Sequence, residues 1–188
     1  MPNKKIMNEE NMLMLKEMHL APYIQLATAL IGIERHFGGN MFRHQIDTFG
    51  ILLDYGYIDS VLLKASVVND LLEDVPATNR NAIADIDSEG PEVLKLVLEV
   101  TRREVESKPE FLTRIHDFGS YEARVLKCAD RISNIISMGY VTDIVFVKRY
   151  IEETEHYVFP IAEMVNARML DELQKLVETR RTLYCEQQ

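Results

Sequence analysis

The sequence predicts an all-α fold, a single compact bundle of about eight to ten helices. Three observations carry this. Apolar residues recur with a period near 3.6 and not 2. Most of the 8 glycines and 6 prolines fall between the periodic segments. A chain of 188 residues is long enough for one substantial core. Residues 1–188 therefore read as one domain, with a core over about 22–167 and a C-terminal helix over about 168–184.

Each element has a local reason. A first helix covers 9–19. Pro22 suits the first turn of a second, which runs to 35, because its missing N–H costs nothing there. Gly38, Gly39 and Asn40 break the chain, and a third helix spans 43–55 before Gly56 caps it. Asp59 caps a fourth helix that reads as continuous to residue 74. A loop over 76–81 leads to a short helix over 81–86 and another over 91–103. Pro109 opens a helix ending near Gly119, and Ser120 caps a long one stopping at Gly139. Thr142 opens the next, which Pro160 bends or restarts, and a final helix covers 169–184. Ile144, Val145, Phe146 and Val147 mimic a strand, but the flanking Lys148, Arg149, Glu152 and Glu153 keep helical spacing.

Composition narrows the function. With 21 Lys and Arg against 30 Asp and Glu, the net charge of −9 repels phosphate backbones and disfavours nucleic-acid partners. No apolar run is long enough to span a bilayer. Acidic residues interrupt the N-terminal stretch where a signal peptide would be apolar. Cys128 and Cys185 make neither a disulfide framework nor a C-x-x-C metal motif. The expectation is a reduced, cytoplasmic protein with no membrane partner. Its oligomeric state stays open, since the stripe of Leu170, Leu173, Leu176 and Val177 suits either the core or a second copy.

Two segments hold the chemistry. The helix over 60–75 is apolar nearly all round, as a central helix is, yet it carries Asn69, Asp70, Glu73 and Asp74. At about 100° per residue these fall, with Ser66, in an arc of roughly 140°. Burying three carboxylates together is costly unless a cation or a wet cleft relieves them. The face either lines a site or is a solvated helix end. In the segment over 120–139, Ala123, Leu126, Ala129, Ile132, Ile135 and Ile136 form a core face. Lys127, Asp130, Asn134 and Ser137 form a polar stripe beside it, which is either a helix margin or part of the same site. Of the five histidines, His44 stands out, following Arg43 at a helix start beyond a Gly-Gly loop.

The order of His44, Asn69-Asp70 with Glu73-Asp74, and KCADRISN over 127–134 resembles the HD-domain phosphohydrolases. The likeness is greatest to the hydrolase domain of the RelA/SpoT homologues and the small alarmone hydrolases, and it extends over about 27–162. The resemblance implies an HD-type helical fold and hydrolysis of the 3′-pyrophosphate of guanosine tetra- or pentaphosphate. It implies one divalent cation, Mn²⁺, on His44, Asp70 and Asp130, with Asn69 at the remaining ligand position. It assigns Glu73 and Asp74 to orienting and deprotonating water. It assigns Asn134 and Ser137 to the nucleotide, with Arg43 and Lys127 beside it as substrate-binding bases.

Two departures stand out. The histidine of the HD pair is Asn69 here, and an amide oxygen is a weaker ligand than imidazole. The loop before His44 reads FGGNMF over 37–42, without the family's bases. Three functions therefore remain: an alarmone-type pyrophosphohydrolase, a non-catalytic binder of nucleotide or protein, or a phosphohydrolase of a smaller phosphoester. His116-Asp117, a literal HD pair, reads as the end of a short helix. Arg102-Arg103 and Arg180-Arg181 read as solvated helix ends, and the methionines as packing.

Overall fold

A computed structural model describes residues 8–75 and 77–185, with only the backbone of Tyr140 and Cys185. Residues 1–7 of the N-terminal stretch expected not to be a leader, and Pro76 at the start of the expected loop, lie outside the described residues. Among the described residues every regular element is helical, apart from an isolated bridge between Glu34 and Asn40. None of the helices is long and apolar enough to cross a membrane.

Side-chain caps set most of the starts. Helix α1 (Glu9–Glu17) is capped by Asn8, α3 (Met41–Asp54) by Asn40, and α4 (Ser60–Val68) by Asp59. Ser107 and Glu110 form a capping box on α8 (Lys108–Phe118), and Ser120 caps α9 (Tyr121–Ser137). Asp143, one residue after the expected Thr142, caps α10 (Ile144–Glu153). The short helices α5 (Leu71–Asp74) and α6 (Asn81–Ala84) precede α7 (Gly90–Val100). A Cβ at residue 90 would lie 2.3 Å from the Ala84 carbonyl oxygen, so the turn between α6 and α7 needs glycine.

Three expected helices differ. The second is α2 (Ala21–Ala27), which continues as a 3₁₀ turn only to Gly32. Residue 33 is extended, and Gly38 and Gly39 take φ of 87° and 72°, folding 33–40 back on itself. The helix expected over 59–74 breaks between α4 and α5, with Asp70 at φ −89° and ψ −1°. Leu71 is buried there, and Asp70 turns toward α3, where Gln45 donates to it. At Pro160 the chain widens into a π-turn (Thr154–Val158) before α11 (Phe159–Val165). Proline lacks the N–H that a regular turn would use there.

Helix α9 lies at the centre, against α3, α7, α11 and α12 (Ala167–Cys185). Ala123, Leu126, Ala129, Ile132 and Ile135 are buried on it, whereas Ile136, expected in the core, is exposed. The α12 stripe packs inward through Met169, Leu173 and Val177. Arg180 is not a solvated end. It donates to the carbonyls of Ile135 and Ile136 and so closes the C-terminus of α9. Arg131 is wholly buried, donating to Glu153 at 2.6 Å and Thr154 at 2.9 Å, with its guanidinium 4.1 Å from the Tyr150 ring centroid.

Candidate functional site

Packing α3 across α9 brings His44 onto Asp130, although 86 residues separate them in the chain. His44 Nε2 lies 2.8 Å from Asp130 Oδ1 and 3.6 Å from Asp70 Oδ2. His44 Nδ1 lies 2.8 Å from Ser133 Oγ. His44, Asp70 and Asp130 each offer a ligand atom, all within 4.8 Å of one another. Asp70 enters this cluster from the turn between α4 and α5.

The second layer is polar and ordered. Lys127 Nζ donates to Asp130 Oδ2 at 2.6 Å, and Asn134 Nδ2 to Asp130 Oδ1 at 3.1 Å. Gln45 Nε2 donates to Asp70 Oδ2 at 2.7 Å, and Asn69 Nδ2 approaches Asp70 Oδ1 at 3.4 Å. Burial by itself would raise the Asp130 carboxyl, but the Lys127 ammonium and His44 hold it well below the usual carboxylate range. It stays anionic, as a ligand must.

The cluster opens into a cavity of about 1300 Å³. Glu73 and Asp74 line it beside Asp70. Burial, with Asp70 and Glu73 nearby and His44 opposing, pushes Asp74 up to about 6. Glu73 is exposed and accepts from the Arg102 backbone N–H at 2.5 Å. Lys108 and Lys127 line the cavity too, and burial together with Lys127 and Arg131 pulls Lys108 down to about 8.

His36, Phe37, Phe146 and Tyr150 form an aromatic group on another wall, with the His36 and Phe146 rings 4.3 Å apart and Phe146 stacked on Tyr150 at 5.6 Å. Arg35 donates to Asn134 Oδ1 at 2.7 Å and to Ser137 Oγ at 3.3 Å.

The structure thus brings together His44, Asp70, Asp130, Lys127 and Asn134, with Glu73 and Asp74 on the same cavity wall. Ser137 joins through Arg35, without lining the cavity. Asn69 lies beside Asp70 and is buried. Arg43 corrects an expectation: its side chain is exposed and outside the cavity, because the third position of α3 points away from α9. Arg35 holds the place expected of it. Ser66, counted on the acidic arc, is buried and bonded to the Leu63 carbonyl. His116 and Asp117 pair with each other at the exposed end of α8.

Four residues escaped the sequence reading: Arg35, Gln45, Lys108 and Ser133. Ser133 had a signal, since Asp130, Ser133, Asn134 and Ser137 share one helix face at i, i+3, i+4 and i+7. Gln45 had none; its role depends on Asp70.

A divalent cation fits the residues present. The two carboxylates are oxygen donors of the kind Mn²⁺ and Mg²⁺ take, and the imidazole adds a nitrogen of the kind a transition ion takes. Two buried amide oxygens next to them, Gln45 Oε1 and Asn69 Oδ1, also have no hydrogen-bond partner.

No protein-family model and no curated protein matches the chain. Among the solved structures that match in fold is a metazoan ortholog of SpoT, described as hydrolysing ppGpp and playing a role in starvation responses. It is 21% identical, the alignment covers 86% of this chain and 94% of that one, and the TM-score is 0.74. The HD-type helical fold expected from the motifs is therefore the fold of this chain.

Proposed function

We propose that the protein is a metal-dependent nucleotide pyrophosphohydrolase that removes the 3′-pyrophosphate of guanosine tetra- or pentaphosphate in the cytoplasm. The observation that carries this is the convergence of His44, Asp70 and Asp130 within 4.8 Å, at the base of a cavity that Glu73 and Asp74 also line. The fold shared with a ppGpp hydrolase supports the substrate.

His44, Asp70 and Asp130 would hold the cation, Mn²⁺ in this reading. Such an ion supplies local positive charge that acidifies water and polarises a phosphoryl oxygen. The chain's own groups do the rest. Asp74, pushed up to about 6, is anionic at neutral pH but basic enough to take a proton from attacking water. Glu73, fixed by the Arg102 N–H, adds the charge that keeps Asp74 basic. Lys108 and Lys127 face the phosphates, and the ring group around Phe146 and Tyr150 offers a surface for a base. Asn134 and Ser137 hold Arg35 at the same wall.

One observation favours a second reading, a smaller phosphoester. Acidic residues outnumber Lys and Arg on the cavity wall, where Glu34, Glu152, Glu153 and Glu155 add to the catalytic carboxylates. Such a wall disfavours a substrate with many charges.

The test is pyrophosphate release from guanosine tetraphosphate with and without Mn²⁺, with Asn69→His run alongside. Turnover by the natural protein supports the proposal. Turnover by the histidine variant alone means that the pocket is intact and the natural protein has lost its metal chemistry, leaving a binder. If neither works while a small phosphoester is cleaved, the second reading holds.

A further inference from the structure

Gln45 and Asn69 approach the same carboxylate from two sides. The Gln45 amide N–H is 2.7 Å from Asp70 Oδ2, and that of Asn69 is 3.4 Å from Asp70 Oδ1. Gln45 is completely buried and Asn69 is 5% exposed. The oxygens of both carboxamides lack a hydrogen-bond partner among the described residues. A buried amide oxygen without a partner is costly, and natural proteins keep few of them. Two of them flanking one carboxylate of a three-residue ligand cluster is not explained by packing. A cation, or water ordered by a cation, supplies the missing partner for both.

We propose that Gln45 and Asn69 form a carboxamide bracket around Asp70 that sets cation choice, Gln45 as a positioning residue and Asn69 as an oxygen donor in place of an imidazole. This inference rests on the metal centre of the proposed function. It extends that reading, because the donor set becomes one nitrogen, from His44, with every other donor an oxygen. Oxygen donors suit Mg²⁺ and Mn²⁺ alike, whereas each added imidazole favours the later transition ions. The bracket therefore flattens discrimination between Mg²⁺ and Mn²⁺. It also offsets the missing ligand by holding Asp70 rigid, since groups that orient a ligand govern metal affinity almost as strongly as the ligand itself.

The test uses the full chain stripped of metal with chelator, and reads ion binding directly. Free Mn²⁺ is followed by electron paramagnetic resonance, Mg²⁺ by competition, and both by the rise in Tm. The natural protein is expected to bind both ions. Asn69→His shifts the ratio of affinities toward Mn²⁺ by about tenfold or more. Gln45→Leu weakens both ions by about tenfold or more without changing their ratio. Gln45→Glu sets a second carboxylate against Asp70, so it melts earlier without metal and gains more Tm on adding Mg²⁺ than the natural protein does. A purely structural glutamine would lower Tm equally with and without the ion.

If ions bind but the ratio is unmoved by Asn69→His, or Gln45→Leu leaves affinity unchanged, the bracket is wrong and the metal centre stands. If no variant binds either ion, the centre itself fails, and the bracket and the proposed function fail with it.

Discussion

Ser133 Oγ lies 2.8 Å from Nδ1 of His44, while Nε2 of the same ring faces Asp130. When the hydroxyl accepts a hydrogen bond from Nδ1–H, Nε2 is the nitrogen left to bind a cation beside the carboxylates, which is the tautomer a metal ligand needs. Ser133→Ala removes that selection and leaves the core intact. The expected result is a loss of Mn²⁺ affinity of about 10–100-fold with unchanged helical circular dichroism. Unchanged affinity would mean that the serine only fills space.

Asp74→Asn keeps the shape of the side chain and removes its basicity. Hydrolysis of guanosine tetraphosphate should lose about 10²–10⁴ in kcat with little change in KM. Steady-state kinetics check this, and an effect confined to KM would assign Asp74 to binding alone.

Lys108, pulled down to about 8, gives a pH dependence with a definite sign. An anion in the cavity selects the ammonium form, so its binding weakens as pH rises through 8. Sulfate keeps a constant charge over this range. Its affinity should fall about tenfold from pH 7 to pH 9 for a site that needs the ammonium, and Lys108→Gln should remove the dependence. Calorimetric titration at several pH values measures it.

Among the described residues Arg131 is the largest wholly buried side chain, and its charge is matched by Glu153. Removing one partner leaves the other without its counter-charge. Arg131→Ala should cost about 3–5 kcal/mol, seen as a lower urea midpoint. A substitution that changes stability by less than about 1 kcal/mol would show that the pair is far better hydrated than its burial implies.

Cys128 is buried, and its surroundings push the thiol up to about 12. Burial is the main cause. Alkylation at pH 8 should therefore proceed only as fast as the chain unfolds, and mass spectrometry of native against urea-treated protein separates the two.

Much of the fold is legible because its causes are local. Asp59 and Ser120 cap the helices that follow them whatever the rest of the chain does. The inward stripe of α12 follows from its spacing. The break between α4 and α5 is not legible, since 60–75 contains no Gly or Pro to announce it. It coincides with a contact distant in sequence, Gln45 on Asp70, and with the burial of Leu71. The same holds for Arg35, which the periodicity placed at a helix end and the Gly38-Gly39 turn places against Asn134.

The sequence by itself determined the helical class and most helix starts, and it singled out the carboxylates and the histidine on which the proposed function rests. These depend on propensity, capping and residue type, all of which act over a few positions. Only the tertiary structure decided that Arg35 and not Arg43 reaches the cavity, that Ser133 orients His44, and that Gln45 and Asn69 bracket Asp70. Those relations are made across α3, α4 and α9, where a side chain's partner is chosen by how the helices pack. No spacing along a single helix records that choice.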